Sequence, residues 1–250
     1  MAKHRVWDWA IVGSGFGGSV SALRLVEKGY RVVVLEKGRR FGPEDFPKTN
    51  WDLRKWMWRP SLGMRGLFKM TVFPHVTVMS GVGVGGGSLV YANTLPTPGA
   101  DFFQAASWAH LADWERELAP HYPTARRMLG ATPYPGLTEA DRALQAVARK
   151  RNLPFSQPDV AVYFGRPGET VKDPYFGGEG PDRTGCTHCG GCMIGCRVGA
   201  KNTLDKNYLY LAEKRGLTIW AEHEVTSIRP LPEGEGPGYR LEVTARGRVK

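Results

Sequence analysis

The chain has 250 residues, of which 42% are hydrophobic and 23% charged, as expected for a soluble globular protein of one large or two small domains. Its formal net charge of +10 suits a solubilising surface or an anionic membrane, whereas the scattered basic residues argue against a nucleic-acid partner. No run approaches the roughly 18 apolar residues of a membrane-spanning helix, and no signal peptide is visible, so a cytoplasmic location is predicted.

The first predicted elements form a dinucleotide-binding βαβ unit. An apolar strand over residues 8–12 leads into Gly13-Ser14-Gly15-Phe16-Gly17-Gly18, a helical apolar pattern follows, and a second apolar strand ends at Glu36. In such a motif Gly13 allows the tight turn, Gly15 lets a pyrophosphate approach the backbone, and Gly18 lets the helix pack on the strand. The helix N-terminus would bind the pyrophosphate, and Glu36 the adenosine ribose hydroxyls. The motif alone predicts an adenine dinucleotide, either FAD or NAD.

Two segments separate this unit from a second glycine-rich stretch. A short helix capped by Asn50 is predicted over residues 51–57, and its tryptophans suit packed core better than a membrane- or substrate-facing surface. A strand is predicted over residues 72–79. The following run, residues 80–93, has too many glycines for a regular strand or helix. Close backbone approach to another segment or to a flat ligand is favoured over a flexible loop.

The rest of the chain alternates helical and strand patterns. Helices are predicted over residues 100–129, after a capping box at Thr138, and from Thr203 to Gly216. Residues 165–185 read as a surface excursion, and strands are predicted over residues 160–164, 217–220, 225–228 and 239–245. The last strand is expected to need a partner outside this sequence, so a truncated chain or one half of a larger enzyme is predicted.

These patterns together predict an α/β fold of the Rossmann type that binds an adenine dinucleotide. Three parts are expected: a βαβ unit over residues 1–42, an inserted mixed α+β cap or substrate region over residues 43–200, and a return to the nucleotide-binding domain over residues 201–250. The fold is expected to be incomplete at its C-terminus.

The two glycine motifs and the later segments resemble the N-terminal half of the glucose–methanol–choline (GMC) oxidoreductases, in their bacterial cholesterol oxidase branch. The resemblance is carried by the first motif with Glu36, by residues 83–90, by Gly199-Ala200-Lys201-Asn202-Thr203-Leu204 and by His223-Glu224-Val225. It favours FAD over NAD. It also implies these cofactor-binding residues: Gly13, Gly15, Phe16, Gly17, Gly18, Glu36, Gly83, Gly85, Gly86, Gly87, Ser88, Asn93 and, through its main chain, Val225.

The resemblance implies oxidation of an alcohol, sterol-like or another large apolar alcohol, by hydride transfer to the flavin. Tyr91 departs from the branch, which has asparagine there, and Asn93 lies two residues on. None of the six histidines matches the family's catalytic motif, so no catalytic residue is assigned and the 250-residue chain alone is expected to be inactive. The expected partners are a small-molecule alcohol, the missing C-terminal half and, peripherally, a membrane.

All four cysteines lie in one run: Cys186, Cys189, Cys192 and Cys196. Their spacing is that of a bacterial ferredoxin loop, which favours a [4Fe–4S] cluster, but Arg197 replaces the usual proline and no second cysteine set is present. Four reduced thiols without metal are an alternative of at least equal weight, and zinc is a less favoured one. Two rival functions follow: a flavin dehydrogenase that passes electrons through this cluster, and a non-catalytic FAD-binding fragment.

Overall fold

The computed structural model describes residues 6–234 and 236–245. Within them the strands are β1 (Trp9–Val12), β2 (Val32–Glu36), β3 (Trp58–Arg59), β4 (Met64–Arg65), β5 (Phe68–Val72), β6 (Thr77–Gly81), β7 (Ala131–Thr132), β8 (Val160–Ala161), β9 (Thr170–Val171), β10 (Arg183–Thr184), β11 (Thr218–Ala221), β12 (His223–Pro230) and β13 (Tyr239–Ala245). The α-helices are α1 (Phe16–Glu27), α2 (Leu53–Trp56), α3 (Ala100–Phe103), α4 (Trp114–Leu118), α5 (His121–Met128), α6 (Glu139–Arg151) and α7 (Tyr208–Lys214).

A parallel sheet of β1, β2 and β11 is the centre of the fold. β2 lies in the middle, with Val34 opposite Ile11 on one side and Ile219 on the other. Every residue of β2 is buried, as its run of β-branched residues predicts for the inner strand of a parallel sheet. The predicted βαβ unit is confirmed, and a strand from the far end of the chain completes its sheet.

Helices α1 and α7 bury their apolar faces together against this sheet. The shared core contains Leu23 and Val26 of α1, Val34 of β2, and Leu209 and Leu211 of α7. The apolar stripe predicted after Thr203 is therefore confirmed. The helix itself begins later, because a short 3₁₀ turn over Leu204–Lys206 comes first and Asn207, rather than Thr203, caps α7.

Residues 51–81 differ from the prediction. Asp52 caps a single-turn helix, α2, in place of the longer helix expected from Asn50. The predicted strand 72–79 is a hairpin, in which β5 and β6 pair antiparallel around a turn that contains Pro74. Proline has no N–H for the ladder, so it breaks the apolar run at this point. Trp51 is 85% exposed, which contradicts a core position, whereas Trp56 packs on Phe68 with ring centroids 5.4 Å apart.

The helical pattern over residues 100–129 is divided into α3, α4 and α5. Asp113 caps α4 through a bond from the N–H of Arg116, and Pro120 begins α5, so each helix has its own start signal. Thr138 and Asp141 form the predicted capping box of α6. Leu144 of this helix is 62% exposed, whereas Ala148 is buried.

The C-terminal strand has its partner within the chain. β12 pairs antiparallel with β13 from His223–Ala245 to Pro230–Tyr239, so the expected need for an outside partner is wrong. The excursion over residues 165–185 contains a second small antiparallel pair, β9 and β10. In the described part of the chain, no helix combines the length and apolar character needed to cross a membrane.

Candidate functional site

The turn between β1 and α1 has the geometry that its glycines predict. Gly13 adopts a φ of +91°, which favours glycine. A Cβ on Gly18 would overlap the carbonyl oxygen of Gly13 and press on Ile11. These two glycines therefore make the tight turn and the close helix–strand contact that the motif requires.

Gly15 and Gly17 leave open space at the start of α1. A Cβ built on either residue would meet nothing within 4 Å. Gly15 is the N-cap and supplies no side-chain bond, and the first turn of α1 contains no acidic residue. The helix N-terminus thus combines uncapped N–H groups with room for a ligand, an arrangement that suits a phosphate or pyrophosphate.

Glu36 and Ser14 connect the ends of the first two strands. Ser14 Oγ donates to Glu36 Oε2 at 2.7 Å, and the N–H of Ser14 donates to the same oxygen at 3.1 Å. Glu36 Oε1 accepts from the N–H of Gly38 at 2.8 Å. Both side chains are buried. The carboxylate is fixed at the edge where the parallel strands end, and Oε1, which accepts one bond, keeps a lone pair for a further donor such as a ribose hydroxyl.

The second glycine run packs directly on the first. A Cβ on Gly86 would lie 2.8 Å from Gly15 Cα, and a Cβ on Gly38 would overlap the main chain of Gly83. The N–H of Gly85 donates to Ser14 Oγ at 3.0 Å. The predicted close backbone approach to another segment is confirmed, and Ser14, to which the sequence assigned no role, is the residue that joins the two motifs.

Ser88 and the residues after it have structural contacts that limit their roles. Ser88 Oγ donates to the carbonyl of Gly85 at 2.7 Å and accepts from the N–H of Leu204 at 3.0 Å. Ser88 is fully buried, so its hydroxyl is occupied within the protein. Asn93 adopts a φ of +57° and its carbonyl accepts from the N–H of Ala161 at 2.7 Å.

Tyr91 belongs to the C-terminal part of the second glycine run and contacts the first motif. Its ring meets Phe16 edge-on, with centroids 5.8 Å apart, and its hydroxyl donates to the carbonyl of Asn202 at 3.3 Å. Burial raises the pKa of Tyr91, so the phenol stays protonated at neutral pH.

An apolar cavity of about 610 Å³ opens beside this junction. Gly87, Val90 and Tyr91 line it on one side, and Trp56 and Met79 on another. Residues from the cysteine run complete its wall: Met193 and Ile194. The cavity therefore brings the second glycine run, residues 80–93, together with the tryptophan segment, residues 51–58, and the cysteine loop, residues 186–196.

Val225 lies in β12, where it pairs with Val243 at the edge of a bulge. β12 starts next to the central sheet, since the N–H of Glu222 donates to the carbonyl of Gly38 at 2.9 Å. Val225 is thus near the Glu36 end of β2, and its cofactor contact stays a prediction. Of the histidines, His4 lies outside the described residues, and His188 stacks on Phe164.

Lys201 is buried at the contact between the glycine run and the cysteine loop. Its ammonium donates to the carbonyls of Leu89 at 3.1 Å, Tyr91 at 2.6 Å and Cys192 at 2.9 Å. It also lies 4.5 Å from the centre of the Tyr91 ring. Burial lowers the pKa of Lys201 to about 8, while Cys192 and Cys196 act in the opposite direction. Lys201 lies in the segment over residues 199–204 that contributes to the family resemblance, but the sequence did not indicate its partners.

The four cysteines are free thiols around one small cavity. Burial raises the pKa of Cys186 and of Cys192. Burial also acts on Cys196, but N–H groups led by that of Lys201 outweigh it and lower the pKa of this thiol. Among the described residues, no three His, Cys, Asp or Glu side chains converge closely enough to hold a single metal ion.

Comparisons with known proteins agree with this architecture. Residues 11–79 match the NAD(P)-binding Rossmann-like domain family. A cholesterol oxidase of Mycobacterium tuberculosis (strain ATCC 25618 / H37Rv) is 54% identical over 220 residues, which cover 85% of this chain and 38% of that protein. A cholesterol oxidase of Acinetobacter baumannii is 50% identical over 231 residues, which cover 90% of this chain and 42% of that protein.

The fold is also found among solved structures. The crystal structure of pyridoxine 4-oxidase from Mesorbium loti has a TM-score of 0.58 with this chain at 20% sequence identity, over 96% of this chain and 46% of that one. The predicted Rossmann-type fold is confirmed. The chain spans about two-fifths of the length of the two cholesterol oxidases that it matches.

Proposed function

Because this chain belongs to the GMC oxidoreductases, as a homologue of the N-terminal part of their cholesterol oxidases, we propose that it binds FAD for the oxidation of an alcohol. The observation that supports this most is the junction of the two glycine runs. Gly15 leaves room for a pyrophosphate at the N-terminus of α1, while Gly86 packs against the same residue from the second run. A dinucleotide bound at the first motif would therefore lie against the second.

Each part of FAD has a candidate position in the described residues. The pyrophosphate is assigned to Gly15, Gly17 and the N-terminus of α1, and the adenosine ribose to Glu36. The flavin is assigned to the edge of the second run, next to the apolar cavity. The remaining predicted contacts are proposed through main-chain groups or small side chains: Gly13, Phe16, Gly18, Gly83, Gly85, Gly86, Gly87, Ser88, Asn93 and Val225.

The cavity supports a large apolar alcohol as the substrate. FAD, when bound, supplies the acceptor for the hydride that leaves the carbinol carbon. The residues of this chain would enclose the apolar part of the substrate, and Trp56, Met79 and Val90 are the side chains proposed for that contact. The substrate proposed is sterol-like or another large apolar alcohol. No residue of the described chain is assigned as the base.

The activity is tested on the FAD-loaded protein as its gene encodes it. Under anaerobic conditions, sterols and long-chain alcohols should bleach the oxidised-flavin absorbance, and oxygen should restore it with release of hydrogen peroxide. Met79→Trp, which fills the cavity, should weaken alcohol binding about tenfold or more. Val78→Trp, on the neighbouring residue of the same strand, is the control, since Val78 is exposed and outside the cavity wall. Reduction of the flavin by NAD(P)H, but by no alcohol, would contradict the proposal.

A second candidate is a flavin dehydrogenase whose electrons leave through the cysteine loop. It is favoured by the contact of Lys201 with both the glycine run and Cys192, and by the position of Met193 in the cavity wall. Reoxidation by an artificial acceptor without peroxide release would identify the dehydrogenase.

Peripheral membrane contact is also proposed. It is supported by the exposed apolar side chains at the tip of the β5–β6 hairpin, Val72, Phe73 and Val76.

A further inference from the structure

The cysteine loop encloses a cavity that all four thiols line. The rest of the wall is small or apolar and includes Val162, Val198 and Ala200. The thiols come from a segment of eleven residues, and Gly190 and Gly195 adopt positive φ values of +69° and +94° within it. The loop thus curls around a common centre, and its cysteines are not spread over the surface as four independent residues.

Main-chain N–H groups point at the sulfur atoms. The N–H of His188 donates to Cys186 Sγ at 3.4 Å, and the N–H of Lys201 donates to Cys196 Sγ at 3.4 Å. Hydrogen bonds of this kind stabilise thiolate rather than thiol, and around iron–sulfur clusters they set the reduction potential. A loop of inert apolar cysteines would have no need of them.

The spacing of the thiols along the chain distinguishes between metals. The two cysteine pairs of a zinc knuckle are normally separated by a loop of a dozen or more residues. Here all four cysteines follow one another as Cys-x₂-Cys-x₂-Cys-x₃-Cys, the spacing of a loop that wraps a four-iron cube. This pattern fits the cube better than zinc.

Lys201 supplies a buried positive charge at the same place. The acceptors around its ammonium are three main-chain carbonyls, none of which carries a formal charge. A fully buried cation is costly unless an anion compensates it. Lys201 contacts the loop at two of its cysteines, through its ammonium to the carbonyl of Cys192 at 2.9 Å and through its N–H to Cys196 Sγ at 3.4 Å. A cluster held by four thiolates has a net negative charge and would provide that compensation.

We propose that Cys186, Cys189, Cys192 and Cys196 bind a [4Fe–4S] cluster, and that Lys201 is the buried cation that joins this cluster to the flavin-covering glycine run. The cavity measures about 20 Å³, less than a cluster occupies, so the proposal requires the loop to open on binding. We place this opening at Cys189 and Gly190, because Cys189 is exposed and a Cβ on Gly190 would meet nothing within 4 Å. The cluster does not depend on FAD; its connection to the flavin rests on the proposed function.

Iron and sulfide content test the site directly. The protein is expressed and purified anaerobically, and iron, acid-labile sulfide, zinc and FAD are measured on the same sample. About four iron atoms and four sulfides per chain are expected, with an electron paramagnetic resonance signal after reduction by dithionite. Cys192→Ser should lose most of the iron and keep FAD, whereas His188→Ala, inside the loop but not a ligand, should keep both.

Folded protein that contains no iron after anaerobic expression and after reconstitution with ferrous iron and sulfide would overturn the proposal. One zinc ion per chain would overturn it as well. Iron without FAD would leave the cluster standing and count against the proposed function, so the two failures are distinguishable.

The role of Lys201 has its own readout. Lys201→Met should shift the reduction potential of the cluster to a more negative value, because a nearby positive charge stabilises the reduced form. Lys201→Arg should move it back towards the original value. A potential that is the same in all three proteins, each with full iron content, would show that Lys201 has only a packing role.

Discussion

Ser14 is the residue on which both glycine motifs depend. Its hydroxyl lies between Glu36 Oε2 and the N–H of Gly85, and it is also 3.2 Å from the carbonyl of Gly83. No side chain other than a small hydroxyl could donate and accept in this space, because the residue is fully buried. Ser14 therefore fixes the acid that is proposed to bind the ribose and the run that is proposed to cover the flavin.

Ser14→Ala should destabilise the protein by about 1–3 kcal/mol, because the N–H of Gly85 is left buried without its acceptor. Urea unfolding of the FAD-free protein measures this change. Ser61→Ala is the matched control, because Ser61 is exposed. Its free energy of unfolding should stay within about 0.5 kcal/mol of that of the original protein. Equal stability of both variants would show that Ser14 does not join the motifs.

Gly15→Ala and Gly18→Ala should separate cofactor binding from folding. A Cβ on Gly15 meets no protein atom within 4 Å. The free energy of unfolding of Gly15→Ala should therefore stay within about 1 kcal/mol of that of the original protein. This variant should nevertheless lose FAD affinity tenfold or more, because the methyl group enters the space proposed for the pyrophosphate. A Cβ on Gly18 overlaps Gly13, so that variant should be strongly destabilised. FAD titration and thermal unfolding of both variants check the pair.

At this scale the sequence predicted residues whose role follows from local geometry. Gly13 and Gly18 act within one turn, so their spacing was sufficient to assign them. Ser14 and Lys201 act through partners about 70 and 110 residues away, and no pattern in a single sequence reports such contacts. Ser88 is predicted to bind the cofactor, and the sequence did not show that its hydroxyl bonds to Gly85 and Leu204 within the protein.

At the scale of elements, α7 packs against the central sheet and α1 and connects them to the preceding part of the chain. Its face towards α1 and β2 contains Leu209 and Ala212, both fully buried. Asn207 caps the helix and Gly216, at a φ of +95°, follows it. This helix brings Lys201 and the cysteine loop up to the sheet, so its packing also positions the site.

Leu209→Ala should destabilise the protein by about 2–5 kcal/mol, because the cavity left in a close-packed core cannot collapse fully. Leu144→Ala in α6 is the control; its side chain is exposed and should change stability by no more than about 0.5 kcal/mol. Chemical unfolding of both variants checks the difference. Similar losses in the two helices would contradict the assignment of α7 to the core.

The elements that the sequence predicted well have strong local signals. The strands β1 and β2 and the helix α1 follow from apolar periodicity and glycine positions, and α6 follows from its capping box. The hairpin of β5 and β6 was read as one strand because the apolar pattern continues across the turn, although Pro74 marks it. The pairing of β12 with β13 was missed, since which strands pair depends on the whole fold.

At the scale of the whole molecule, three distant segments meet beside the nucleotide motif. The glycine run, the tryptophan segment and the cysteine loop all line the apolar cavity, through residues such as Gly87, Trp56 and Met193. The sequence predicted each segment separately, but not that they share one wall. This meeting supports the proposal of a flavin and an apolar alcohol at the site.

The central claim, that the junction of the two glycine runs holds FAD, is tested most directly by titrating the cofactor-free protein with FAD and, separately, with NAD⁺, by isothermal calorimetry. We predict one FAD per chain and an affinity for NAD⁺ at least tenfold lower, a difference of about 1.4 kcal/mol or more. NAD⁺ binding as tightly as FAD, or no binding of FAD by folded protein, would contradict the account.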